Sequence, residues 1–346
     1  MKKHLPSRYP KKKKRLFAIT ILMLLTITIC LSFAQRGRKK GTGVRNSFQH
    51  LGKERAYRIH VPSSYDGKTP VPLLFCFHGG GGNAEIGSVM GFTPLSNKEG
   101  FIVVYPEGLN KHWNDGRDSP KFTEQDAETD DVAFVLALFN SLKKEYRIDS
   151  DKIYTTGASN GGFFSQRLAI EASDTFAAAG ILIATLPKPF ESNFHPVQPI
   201  SILYINGTND PIVPYNGGPI TPEFFPGLRK LSPDKDYQRG KCSSTDKSIE
   251  LWCAYNRTKA DPVVQSLPDK DPDDGCSVKT FTWSGGKRGT SVVLYQVKGG
   301  GHTIPSGVTY LPERIIGKIC NDFDGVSTIW EFLISHSRSA SVTKRK

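Results

Sequence analysis

Short, largely apolar runs, one of them (Phe101 to Tyr105) fully apolar, recur along this chain and alternate with stretches whose apolar residues fall at helical spacing. A strand that is apolar at every position must be buried on both faces, so such runs belong to the interior of a parallel sheet and not to a half-exposed hairpin. Leu73 to His78, Phe101 to Tyr105, Lys152 to Thr156, Ala177 to Ala184, Ile200 to Ile205 and Val292 to Val297 are the strand candidates, with Tyr57 to Pro62 before them. Helices are expected from Asp131 through the following apolar-periodic stretch, over Gly162 to Glu171, and around Val326 to Ser335. The alternation predicts an α/β fold, a mostly parallel sheet with helices on both faces.

The chain's 346 residues fit one large catalytic domain, expected over 41–338. The formal charge of +13 is concentrated in residues 1–40, which hold twelve Lys or Arg and no acid; subtracting 12 leaves +1 for the remainder. A polyanionic partner such as nucleic acid is therefore not expected for the main domain. Residues 1–40 read as an export segment: Lys11 to Arg15 precede an apolar run from Leu16 to Ala34, and Ser32-Phe33-Ala34 offers small residues before a cleavage point at Gln35. The alternative is an uncleaved anchor over 16–34, because the run is long enough to span a bilayer. Either way the body is expected to be secreted or extracytoplasmic, with no membrane contact beyond that anchor. Residues 339–346 read as a basic tail, and about 215–290 as an irregular, lid-like insertion.

Beyond the export segment stand Cys76, Cys242, Cys253, Cys276 and Cys320, an odd number. Cys76, inside an apolar strand, is the expected free thiol; the other four allow two disulfides in three pairings. No Cys-x-x-Cys pair or histidine cluster argues for a metal, and no cofactor is implied.

Gly157-Ala158-Ser159-Asn160-Gly161 matches Gly-x-Ser-x-Gly between an expected strand and an expected helix. There a nucleophilic serine sits on a tight turn whose flanking positions leave no room for side chains. Serine at its free pKa is a weak nucleophile and needs a base held by an acid, in the chain order Ser, Asp or Glu, His. Asp210 follows the strand ending at Ile205, and His302 follows Gly299-Gly300-Gly301, a loop flexible enough to let an imidazole reach back. A bland reading of Asp210 is an Asx turn before Pro211. His78 is expected to brace its loop, and Asp130 and Asp131 to cap a helix. Asn160 and Gly80, the latter within His78-Gly79-Gly80-Gly81-Gly82-Asn83, are the expected oxyanion donors, with Gly79 the neighbour that competes with Gly80. Trp113 and Tyr215, with Phe224 and Phe225, are candidates for the substrate pocket.

These motifs, together with Tyr105-Pro106-Glu107-Gly108, Trp113-Asn114, Asp130-Asp131-Val132, the stretch Gly207 to Gly218 and Gly300-Gly301-His302-Thr303, resemble the polyhydroxybutyrate depolymerase and feruloyl esterase group of carbohydrate-esterase-like α/β-hydrolases over roughly residues 45–338. The resemblance implies a serine carboxylesterase with the triad on Ser159, Asp210 and His302 and oxyanion donors at Gly80 and Asn160. Many relatives carry a tryptophan where this chain reads Ile304-Pro305, and the stretch between Asp210 and His302 is longer than in compact relatives. No linker or polymer-binding module is visible, which favours soluble or small oligomeric esters over a polymer surface, with feruloyl and acetyl esters equally open. A serine peptidase or acyltransferase on the same triad, or a non-catalytic exported binding module, are the alternatives. No protein partner is implied.

Overall fold

The computed structural model describes residues 43–220 and 239–339. The expected export segment, Phe224, Phe225 and the tail beyond residue 339 lie outside them. Among the described residues no helix is long and apolar enough to cross a membrane.

The sheet has ten strands. In chain order these are β1 (Val44–His50), β2 (Lys53–His60), β3 (Val71–Phe77), β4 (Ile102–Pro106), β5 (Ile148–Ala158), β6 (Ala178–Leu182) and β7 (Ser201–Gly207). A two-residue pair, β8 (Gly218–Pro219) with β9 (Lys241–Cys242), stands apart, and β10 (Val263–Ser266), β11 (Ser277–Trp283) and β12 (Val292–Lys298) complete the large sheet. Its order is β1-β2-β4-β3-β5-β6-β7-β12-β11-β10. From β4 to β12 every neighbouring pair is parallel, while β1, β2, β11 and β10 attach antiparallel at the two edges.

Alternate residues of each central strand enter separate cores on the two faces. Leu73, Phe75 and Phe77 of β3 lie in one with Ile202 and Tyr204 of β7, and Leu74 and Cys76 lie in the other with Leu203 and Ile205. The first face is covered by α4 (Asp131–Glu145), α5 (Asn160–Glu171) and α6 (Thr245–Asn256). The second is covered by α2 (Phe92–Glu99) and α8 (Gly325–Ile334), where Trp330 stacks on Phe101 with centroids 3.6 Å apart. Burial on both faces is what made β3, β4 and β6 almost wholly apolar. Short helices α1 (Ala84–Ser88), α3 (Thr123–Ala127) and α7 (Glu313–Ile316) lie in the connections.

The stretch expected to be irregular over 215–290 is corrected by the structure: it carries α6, β10 and β11 as well as the small β8–β9 pair. Ser244 caps α6 by accepting from Lys247 N, and only a narrow stripe including Ile249 and Trp252 is buried, so the helical period is weak in sequence. Strands β10 and β11 are peripheral and largely polar on one side, which hid them.

All five described cysteines are free thiols. Cys76 is fully buried, as expected, and burial pushes its thiol pKa up. Of the other four, Cys276 and Cys320 come together beside Asp274, their ligand atoms within 4.8 Å of one another.

Candidate active site

The site forms at the C-terminal edge of the parallel strands. Ser159 sits between β5 and α5 with φ 56° and ψ −122°, a backbone conformation that side chains ordinarily avoid. Its N–H donates to Leu182 O at 3.0 Å, and its carbonyl accepts from Phe163 N at 2.9 Å. The flanking glycines are obligatory for steric reasons. A Cβ on Gly157 would lie 2.5 Å from the backbone of Gly161, and one on Gly161 would lie 2.2 Å from Phe77 O of β3. The serine turn thus rests directly on the neighbouring strand and on the loop that leaves it.

That loop begins with His78, which is 1% exposed. Gly108 N–H donates to its Nε2 at 3.0 Å, so Nδ1 carries the proton and donates to Gly79 O at 2.8 Å. Burial is the main cause that pushes the His78 pKa down to about 4, so the ring is neutral and braces the loop as expected. Gly81 N–H is spent on Lys111 O and Gly82 N–H on Gly79 O; Gly79 and Gly80 make no such backbone donation among the described residues. The Cβ position of Gly79 faces Ser159 and that of Gly80 faces Asn160, both at 3.6 Å. Asn160 opens α5, where helix N–H groups lack an intrahelical acceptor.

The acid and base meet after β7 and β12, adjacent parallel strands. His302 Nδ1 lies 2.7 Å from Asp210 Oδ2, and both side chains are almost wholly buried. The other carboxylate oxygen, Oδ1, accepts from Ile212 N and Val213 N at 2.8 Å each. Asp210 therefore makes the Asx turn and also orients the histidine; the two readings coexist in one carboxylate. With Nδ1–H given to Asp210, Nε2 of His302 keeps its lone pair. The glycines before His302 do not provide flexibility as expected. A Cβ on Gly301 would fall 2.1 Å from Ile316 O, and one on Gly207 2.2 Å from Gly300 O, so the loop is packed backbone on backbone.

Two expectations are corrected. Trp113 is 0% exposed: it stacks on Phe164, meets Phe77 edge-on and donates Nε1–H to His78 O at 3.1 Å, leaving no surface for a substrate. Tyr215 is also buried, its hydroxyl accepting from Gln296 Nε2 at 2.7 Å and lying 3.3 Å from Asp246 Oδ1. Both large rings belong to the packing that a composition-level reading of aromatics cannot separate from a pocket. Of the two acids at the start of α4, Asp130 caps the helix through Ala133 N, but Asp131 is instead buried against Arg55 at 2.6 Å.

Sequence reasoning missed the support beneath Asn160. Its amide bridges Trp113, accepting from Trp113 N at 2.9 Å and donating to Trp113 O at 3.0 Å, and also donates to Asp115 Oδ2 at 2.5 Å. Asp115 in turn is held by Arg117, whose Nη2 is 2.6 Å from Oδ2 and whose guanidinium lies over Phe163. The only sequence signal was the Trp113-Asn114 motif, which pointed to the loop without showing which side chains turn inward.

A parallel sheet in this order, with the serine turn after β5 and the acid and histidine after β7 and β12, defines an α/β-hydrolase. The profile of the family described as "Putative esterase" matches residues 49–200. Over 289 residues the chain is 30% identical to the "Putative esterase NocK" of Nocardia uniformis subsp. tsuyamanensis, covering 82% of this chain and 80% of that one. It is 26% identical over 226 residues to the probable feruloyl esterase C of Aspergillus niger, covering 64% and 78% of the two chains. An acetyl xylan esterase from Aspergillus awamori shares the fold with TM-score 0.52 at 15% identity, over 76% of this chain and 95% of that one. The chain belongs to the esterase family. It is a carboxylic ester hydrolase, and the resemblance read from its motifs is borne out.

Proposed function

We propose that this protein is an exported serine esterase that works through an acyl-enzyme, with Ser159 as nucleophile, His302 as general base and Asp210 as the acid that orients it. The observation that carries this reading is the buried Asp210–His302 pair, 2.7 Å apart, formed on the strand edge where Ser159 occupies its positive-φ turn. Ser159 Oγ attacks the ester carbonyl carbon as its proton passes to Nε2 of His302. The N–H groups of Asn160 and Gly80 hold the oxyanion. Collapse breaks the carbon–oxygen bond to the alcohol, which leaves with the proton from His302. Water, deprotonated by the same nitrogen, then releases the acid and restores Ser159. Feruloyl, acetyl and 3-hydroxybutyryl esters are the substrate types proposed, supported by the relatives named above and by the motif resemblance. Export is supported by the basic-then-apolar segment at residues 1–40.

The test is labelling with a fluorophosphonate, peptide mapping of the adduct, and turnover of p-nitrophenyl esters, methyl ferulate and 3-hydroxybutyrate oligomers by the soluble body. Labelling at Ser159, lost together with turnover in Ser159→Ala while melting is unchanged, is the expected result. Retained turnover in that variant would overturn the assignment, and faster cleavage of p-nitroanilides than of matching esters would move the protein to the peptidases.

A further inference from the structure

Beside the loop that carries Gly80 stands a cation, Arg239, that no carboxylate pairs with among the described residues. Arg239 lies just ahead of β9 and is pinned by its backbone, donating N–H to Ile220 O at 3.1 Å, while Ile220 N–H donates to Gly240 O at 2.9 Å. Gly240, with φ 79°, sits so close to the Arg117 loop that a Cβ would come within 2.9 Å of the Arg117 side chain. The Arg239 side chain reaches the proposed oxyanion loop: its Nη1 lies 3.7 Å from the Cβ position of Gly80. That same position is 3.6 Å from Asn160. The guanidinium thus borders Gly80, one of the two proposed oxyanion donors.

The chemistry around it is unbalanced. Arg239 is partly buried, its Nε is buried without a hydrogen-bond partner, and among the described residues no carboxylate pairs with it. Its neighbour Arg117 differs: Asp115 engages it through both Nε and Nη2. Burial, and then repulsion from Arg117, pushes the Arg239 pKa down, which is the direction expected for a cation lacking compensation. A guanidinium remains charged in proteins, and taking it out of water unpaired is costly. An anion arriving with the substrate removes that cost, and the planar fork of arginine matches a carboxylate bidentately.

We propose that Arg239 is the recognition point for a carboxylate on the substrate, making this enzyme selective for esters that carry a free carboxylate on their acyl or alcohol half. This rests on the serine-esterase reading above. Among the ester types considered there, 3-hydroxybutyrate oligomers end in a carboxylate, whereas acetyl and feruloyl esters of neutral sugars do not.

The experiment compares kcat/KM within two matched pairs. p-Nitrophenyl hydrogen glutarate against p-nitrophenyl valerate places the carboxylate on the acyl half; 3-acetoxybutyrate against its primary amide places it on the alcohol half. The wild type is expected to prefer the charged member of at least one pair, and the pair that responds identifies the half recognised. Arg239→Gln should lower that charged-to-neutral ratio by about 10- to 100-fold, the range expected for charge-assisted hydrogen bonds, with Arg239→Lys in between. A wild type without preference, or a ratio unchanged in Arg239→Gln, would overturn the proposal. That second outcome includes equal losses on both esters, which would assign Arg239 to the oxyanion. Fluorophosphonate labelling of Ser159 in the same preparations separates the two failures: labelled enzyme with an unchanged ratio refutes the carboxylate subsite alone, while absent labelling refutes the underlying triad and the subsite with it.

Discussion

Replacing Gly161 by alanine tests the mechanical link between Ser159, the proposed nucleophile, and the loop proposed to hold the oxyanion. The added Cβ would meet Phe77 O at 2.2 Å, His78 O at 2.6 Å and Phe77 C at 2.6 Å. An unstrained carbon–oxygen contact needs about 3.3 Å or more, so the two backbones must separate by roughly 1 Å. The obstruction is main chain at the buried C-terminal end of β3 and just beyond it, and cannot rotate aside as a side chain would. Overpacking of this kind costs about 1–3 kcal/mol, and the rigid neighbour puts Gly161→Ala at the upper end. With an unfolding entropy of about 0.6 kcal/mol/K for roughly 300 residues, a loss of about 3 kcal/mol lowers Tm by about 5 °C. Catalysis should suffer more, because Phe77 and His78 lead directly into Gly79 and Gly80. A displacement of about 1 Å between nucleophile and oxyanion donors costs on the order of 100-fold. The assay pairs thermal melts with kcat/KM on p-nitrophenyl acetate. A variant that melts and turns over like the wild type would refute the steric reasoning.

Asp210→Asn keeps an oxygen for Ile212 N and Val213 N but turns a donor toward His302 Nδ1; kcat is expected to fall by about 10⁴ as the imidazole takes the wrong tautomer, with Tm little changed, and steady-state rates beside melts decide it. For pH, the folded His78 pKa of about 4 lies below its ordinary 6.5, so the folded state favours the neutral ring. Its stabilising contribution is complete above pH 6.5 and is lost as pH falls towards 4, in all about 3 kcal/mol. Urea unfolding from pH 7.5 to 4.5 should show a shallower acid slope for His78→Gln than for the wild type, and equal slopes would contradict the argument. Trp113→Phe leaves His78 O without its indole donor and should cost about 1–3 kcal/mol in stability. KM for small esters should not change, whereas a raised KM would return Trp113 to the substrate pocket.

The parts of the fold legible in sequence were those where one physical demand acts on every residue. Leu73 to His78 and Ile200 to Ile205 read as strands because both faces are buried. Strand β1, Val-Arg-Asn-Ser-Phe-Gln-His, went unread because it is a largely exposed edge with only alternate positions turned inward. At the site, Ser159, Asp210 and His302 were legible because each stands in a glycine or turn context dictated by backbone crowding. The Asn160–Asp115–Arg117 network was not, since it depends on which loop side chains face one another across the fold. Trp113 and Tyr215 were misread for the same reason, burial being a property of the partner and not of the ring.

Asp210 and His302 are 92 residues apart in sequence yet follow adjoining parallel strands, and the chain between them builds α6 and the edge strands β10 and β11 before it returns beside β7 as β12. Both anchors are fixed by β7 and β12, whatever happens in between. Arg239 and the β8–β9 pair lie off the large sheet, so a change of charge there leaves the Asp210–His302 pair in place. A substitution at Arg239 therefore probes the proposed substrate choice while the proposed acid and base stay in place on their strands.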